Sequence, residues 1–258
     1  MGRVCVVTGA NRGIGREVAR QLAAAGDLVV LTARDLGKAQ KAAGELGAEL
    51  GTAQRSADEL GTAQRAAGEL GAAGKAAGEV GVEAAQLDVS EPGSVERFAR
   101  DLRRAHGRVD VLVNNAAIHY DTWQRASGAD LGVVREALET NLLGAWRMTL
   151  ALLPLLRESA HPRVVNVSSE AGSLASMGAG TPAYAVSKAG LNALTKILAA
   201  ELDGIVINAV CPGWVATDMG GPGGRPVAEG ARSVVWAVDL PDSGPTGGFF
   251  RDGEPVPW

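Results

Sequence analysis

The chain has 258 residues, 46% of them hydrophobic, with 25 Lys and Arg against 29 Asp and Glu for a formal charge of -4. That balance excludes a surface built as a whole for nucleic acid or for an anionic membrane, and the length suits one α/β domain with a sizeable core. Only Cys5 and Cys211 are present, each in an apolar run, which excludes a disulfide framework and fits a reducing, cytoplasmic compartment.

A strand pattern begins at once, over residues 4–7, leaving no room for a secretory leader. It runs into Thr8-Gly9-Ala10-Asn11-Arg12-Gly13-Ile14-Gly15 and then a helical pattern over 13–25. Glycines at such a junction let the backbone turn tightly and let a pyrophosphate approach the amides at the helix amino end, where the helix dipole favours negative charge. Gly9, Asn11, Arg12, Gly13, Ile14 and Gly15 are therefore candidate cofactor-binding residues. A glycine-rich loop alone is weak; its place at the first strand-to-helix junction separates it from a merely tight turn.

The second strand, over 28–31, leads into Thr32-Ala33-Arg34. An acid at the strand end would hydrogen-bond the ribose hydroxyls of NAD, whereas Arg34 offers a planar cation for a 2′-phosphate, with Arg12 as a second. NADP(H) is thus favoured over NAD(H). Asp35 follows directly, and a one-residue shift of the strand end would place a carboxylate there, so the strictness of the preference stays open.

Residues 37–81 carry a decapeptide repeat, read as a low-complexity insertion forming a frayed helical arm. A ten-residue period does not complete whole helical turns, so its leucines drift around the helix, and each interior glycine costs about 1 kcal/mol. A partner-binding extension is one reading; a repeat expansion tolerated in a surface connection is the favoured one, because lengthening a loop costs little entropy.

Further strands follow over 82–87, 109–113, 164–167 and 205–210, and helices over 91–105, 131–158 and 182–202, with Pro154 expected to kink or end the second of these. Strands apolar at nearly every position are covered on both faces. The expected fold class is therefore α/β, a Rossmann-type doubly wound parallel sheet with helices on both faces in a single domain, its ligand at the carboxyl ends of the strands.

In the last helix Tyr184 and Lys188 stand four apart, on one face and about one turn from each other. A free phenol is a poor proton shuttle near neutrality, and a neighbouring ammonium favours the phenolate, so Lys188 is expected to tune Tyr184. On spacing alone, a packed aromatic beside a surface charge is the commoner reading.

The surrounding residues change those odds. Thr8 to Gly15, Asn114-Asn115-Ala116-Ala117, Asn141, Asn166-Val167-Ser168-Ser169, Tyr184-Ala185-Val186-Ser187-Lys188 and Cys211-Pro212-Gly213-Trp214-Val215-Ala216-Thr217 resemble, in order, the motifs of short-chain dehydrogenases/reductases, with the 211–215 segment and the closing 247–253 segment similar to the carbonyl-reductase branch. The resemblance covers the chain outside the repeat. It implies NADPH-dependent interconversion of a ketone or aldehyde and an alcohol. Tyr184 would donate the proton, Ser169 would hydrogen-bond the carbonyl oxygen, Lys188 would also bind the nicotinamide ribose, and Asn141 would hold a relay water. A lone Asn bonding nearby backbone remains the plainer reading of Asn141. The resemblance further assigns Asp88 and Val89 to the adenine, Asn115 and Ala116 to the adenosine ribose, and Pro212, Gly213, Val215 and Thr217 to the carboxamide. Ala117 departs from the family's usual glycine, and its methyl is tolerated if the backbone avoids the glycine-only region.

His106, His119 and His161 show no paired ligand spacing, so no metal is expected. Ile118 and Trp214 are candidate substrate contacts, although core packing is the commoner fate of a tryptophan. The Gly- and Pro-rich stretch 219–227 reads as a short mobile flap over an open pocket. The helices 131–158 and 182–202 are apolar on more than one face, and the resemblance implies a homodimer or homotetramer. A protein that binds NADP as a regulator or sensor without turnover is the competing class; intact Tyr184, Lys188, Ser169 and Asn141 weigh against it.

Overall fold

The computed structural model describes residues 2–65 and 81–258. Strands β1 (Val4–Val7), β2 (Leu28–Ala33), β3 (Val82–Gln86), β4 (Val111–Asn114), β5 (Arg163–Val167), β6 (Val206–Val210), β7 (Phe249–Arg251) and β8 (Glu254–Pro255) form one sheet in the order β3-β2-β1-β4-β5-β6-β7-β8. Every pairing is parallel except β7 with β8. Because β1 lies between β2 and β4, the chain builds outward one way, then returns and builds the other way. That reversal leaves a crevice at the carboxyl ends of β1 and β4.

Helices cover both faces. Along β1, Cys5 and Val7 enter one core with α1 (Gly13–Ala24), α2 (Leu36–Arg65) and α7 (Val227–Val238). Val6 enters the other, with α3 (Pro92–His106), α5 (Ala145–Leu156) and α6 (Pro182–Glu201). Two-residue alternation into two separate cores is why these strands read as unbroken apolar runs. The expected doubly wound α/β fold is the observed one, with strand ends shifted by one or two residues.

The repeat departs from its reading as an insertion over 37–81. Ala39, Ala42, Leu46 and Leu50 recur at helical spacing and are all buried against β2 and β3, and Arg16 of α1 pairs with Glu49 at 2.6 Å. The first part of the segment is thus the crossover helix of the β2–β3 unit. Gly44 and Gly47 face open space. The remainder of the repeat, 66–80, lies outside the described residues.

The helix expected over 131–158 is a continuous run of three parts, α4 (Leu131–Ala137), a π-helical stretch (Leu138–Gly144) and α5, with Pro154 two residues before its end. Among the described residues no helix is long and apolar enough to cross a membrane.

Candidate active site

The crevice is a cavity of about 420 Å³. Its floor is the loop after β1, where Gly9 (φ 62°) and Gly13 (φ 57°) occupy the left-handed region that favours glycine. A Cβ on Gly15 would stand 2.4 Å from Asn115 Nδ2 and 2.8 Å from the Gly9 carbonyl oxygen, so the loop can close this tightly only on a bare backbone. Asn115 Nδ2 donates to the carbonyls of Thr8 (2.8 Å) and Gly9 (3.1 Å), while Thr8 Oγ1 accepts from the amides of Asn115 (2.9 Å) and Ala116 (3.0 Å). The Asn115 side chain thus holds the loop in place. Thr8 is a hub that the sequence displayed without marking its role.

Helix α1 begins with Arg12 at its N-cap, extended and without a side-chain cap, and no acid lies in its first turn. Its amino end opens onto the cavity, which Asn11, Arg12, Ile14 and Gly15 line. That is the arrangement an anionic pyrophosphate fits.

At the adenosine end, β2 stops at Ala33, and Arg34 is exposed at the cavity edge, with no ion pair among the described residues. Asp35 is engaged elsewhere, its Oδ1 accepting from the Lys38 amide at 2.8 Å at the start of α2. Arg12 pairs with Asp218, both exposed. Asp88 and Val89 line the same wall, with Asp88 Oδ1 accepting from the Ser90 amide and hydroxyl.

At the other end Tyr184 and Lys188 come into the cavity from α6, both buried. Lys188 Nζ donates to the Val167 carbonyl at 2.7 Å and lies 5.6 Å from the Tyr184 ring centroid. Burial raises the phenol well above its ordinary value, with a hydrogen bond to Ser169 pulling the other way, and burial draws the ammonium down to about 8. Burial is the largest influence on both groups. Ser169 does not line the cavity, and its Oγ also accepts from the Ala171 amide at 3.2 Å, whereas Ser168 is a cavity wall and is bonded to Asn192.

Asn141 lies in the π-helical stretch. Its side chain clasps Ile118, accepting from that amide at 2.8 Å and donating to that carbonyl at 3.0 Å, and donates to Ser187 Oγ at 2.9 Å. This is the backbone-bonding reading. Ile118 lines the cavity, as do Ala116, Ala117, Pro212 and Thr217. Ala117 avoids positive φ, which falls instead on His119 (57°).

Gly213, Val215 and Trp214 do not line the cavity. The Trp214 indole donates to the Gly220 carbonyl at 2.7 Å and packs over Gly220 and Gly223 of the stretch read as a flap. That stretch is tied down, with the Ala216 amide donating to the Arg225 carbonyl at 3.0 Å and the Arg225 amide to the Trp214 carbonyl at 2.8 Å. Met219 and Val227 reach the cavity from it. Thr140 and Asp218 are lining residues that carried no sequence signal of their own, being brought in only by folding.

Each histidine meets a carboxylate, His106 with Glu83, His119 with Glu136 and His161 with Asp242, and among the described residues no cluster of three could hold a metal.

A reversed parallel sheet with a glycine-rich loop at its crevice and a phenol facing that loop defines a dinucleotide-binding oxidoreductase. The family model described as short chain dehydrogenase matches residues 3–65 and 55–225, and this chain belongs to that family. Short-chain dehydrogenase/reductase 1 of Saponaria officinalis is 32% identical over 316 aligned positions covering 99% of this chain and 96% of that protein. Carbonyl reductase [NADPH] 1 of Sus scrofa is 33% identical over 307, covering 99% and 94%. The crystal structure of NADPH-bound carbonyl reductase from chicken fatty liver superposes with a TM-score of 0.78 at 26% identity, covering 100% of this chain and 99% of that one.

Proposed function

We propose that this enzyme reduces a ketone or aldehyde to an alcohol with NADPH, and runs the reverse oxidation, with Tyr184 as general acid and base. The observation that carries the reading is a single cavity joining the uncapped amino end of α1 to the buried Tyr184 phenol and Lys188 ammonium. A nicotinamide dinucleotide bound along it supplies or accepts the hydride.

The remaining work falls on this chain. The amides of Gly9 to Gly15 and the α1 dipole hold the pyrophosphate. Arg34, at the end of β2, takes the 2′-phosphate, while Arg12 is engaged by Asp218 and the exposed Asp35 carboxylate accepts from the Lys38 amide at the start of α2. The NADPH in the names of the pig and chicken proteins supports the same choice. Asp88 and Val89 wall the adenine, Asn115 and Ala116 the adenosine ribose, and Pro212 and Thr217 the carboxamide. Gly213 and Val215 shape that segment from behind.

Tyr184, which burial keeps protonated well past neutrality, gives its proton to the carbonyl oxygen, and its partner Ser169 holds that oxygen. Lys188 binds the nicotinamide ribose and replenishes the proton. Asn141 contributes by fixing Ile118, which faces the substrate, and Ser187 beside Lys188. A second copy of the chain covers the exposed apolar side chains Leu143, Trp146 and Leu150 of the α5 run and Val186 and Ile197 of α6.

Tyr184→Phe tests the reading: consumption of NADPH with a panel of ketones and aldehydes is lost while the NADPH dissociation constant stays within about two-fold. Equal loss of both contradicts the assigned role, and tight binding with no turnover by the unaltered protein points to a sensor instead.

A further inference from the structure

We infer that Asp121 is a positioning residue for Tyr184, acting as the amino-terminal cap of α6 from a loop 62 residues away; this rests on the reading of Tyr184 as the proton donor. Helix α6 cannot cap itself. Its N-cap, Thr181, is held in the left-handed region at φ 49° with no side-chain cap, and Pro182 has no amide hydrogen. The first amides that need a partner are those of Ala183 and Tyr184, both buried. Asp121 takes both, Oδ2 accepting from Ala183 at 2.9 Å and Oδ1 from Tyr184 at 3.0 Å, and its side chain is fully enclosed.

The carboxylate is itself fixed. Gln124 Nε2 donates to Asp121 Oδ2 at 3.1 Å, and Gln124 Oε1 accepts at 2.7 Å from the amide of Asp130, the N-cap of α4. The loop's other end is clasped by Asn141 at Ile118, and between them the Tyr120 ring meets the Tyr184 ring edge-on at 5.2 Å. The loop flanking the substrate and the residue giving the proton are thus one built unit. An enclosed carboxylate bonded to the backbone of the proton donor fixes where the phenol oxygen sits relative to a bound carbonyl, a placement to which rate is sensitive at the ångström scale. The phosphate loop lies on other elements and shares none of these bonds.

Asp121→Asn keeps the shape but leaves a single acceptor and presents a donor to Gln124; Asp121→Ala leaves none. With active sites counted by NADPH titration, we expect kcat to fall about 10-fold in Asp121→Asn and about 100-fold in Asp121→Ala, with the NADPH dissociation constant within about two-fold of the parent and KM for the carbonyl changed less than kcat. A merely structural role would reduce the number of titratable sites and leave kcat per site unchanged, and that result overturns the proposal, as does a parallel loss of NADPH affinity. If Asp121→Asn does not fold, Gln124→Leu decides, a fall of about three-fold or more in kcat at unchanged NADPH affinity supporting the proposal and an unchanged kcat refuting it. An active Tyr184→Phe sinks the underlying reading and this proposal together. An inactive Tyr184→Phe beside a fully active Asp121→Asn sinks only the latter.

Discussion

Lys188 Nζ donates to the carbonyl oxygen of Val167, the last residue of β5, at 2.7 Å. The ammonium is thereby held near the Tyr184 ring by the sheet itself, in a buried place where its one hydrogen-bond partner among the described residues is that neutral carbonyl. The strand end positions the charge, and the helix that carries it positions the phenol.

That arrangement predicts a dome in stability against pH. For Lys188 the folded value, about 8, lies below the ordinary 10.5, so the penalty of burying the ammonium is fully present below pH 8 and is relieved as pH rises toward 10.5. The relief is on the order of 3 kcal/mol at most. Tyr184 acts oppositely, because its folded value is raised: stability falls once pH exceeds the ordinary 10.0, where only the unfolded chain ionises readily. Urea unfolding across pH of about 7 to 11 checks both limbs, with Lys188→Met expected to flatten the rise and Tyr184→Phe the fall.

Arg34→Ala is expected to lower kcat/KM with NADPH by about 10-fold or more while leaving kcat/KM with NADH nearly unchanged, since only the former presents a phosphate to the guanidinium. Initial rates with both cofactors measure the ratio. If the unaltered enzyme prefers NADH, the role given to Arg34 is wrong.

Gly15→Ala places a methyl carbon where Asn115 Nδ2 stands, 2.4 Å away. The amide is driven off the carbonyls of Thr8 and Gly9, and the loop loses its anchor. NADPH affinity is expected to fall about 10-fold or more, with a loss of roughly 1 to 3 kcal/mol in stability, read by fluorescence titration and thermal unfolding.

Thr8→Val keeps the shape of the side chain and removes the oxygen that accepts from the Asn115 and Ala116 amides. The Ala116 amide loses its partner, while the Asn115 amide keeps the Val113 carbonyl at 3.1 Å, and stability is expected to fall by about 1 kcal/mol or more. A midpoint in urea unchanged from the parent would refute the hub role.

Trp146 is 41% and Leu150 56% exposed on α5. If a second copy covers this face as proposed, replacing both by Glu is expected to yield single chains, which light scattering detects as a drop in mass. A parent that already has the mass of one chain removes the proposed pairing.

The parts of the molecule legible in the chain are those whose cause is local. Apolar runs announced the strands because both faces of the sheet are covered, Gly9, Gly13 and Gly15 announced the tight loop after β1, and the four-residue step from Tyr184 to Lys188 placed both on one face of a helix. The repeat misled for a related reason: its period marks low complexity, but only contact with β2 and β3 shows that Ala39, Ala42, Leu46 and Leu50 belong to the core. Sequence alone thus determined the α/β sheet, the loop and the phenol–ammonium pair. Tertiary structure decided that the phenol and the ammonium are both buried, that Asn115 locks the loop, that Asp35 bonds the first turn of α2, and that α6 borrows its cap from Asp121. Each of these depends on desolvation, or on a hydrogen bond whose partner folding must bring within reach, and neither leaves a periodic trace along the chain.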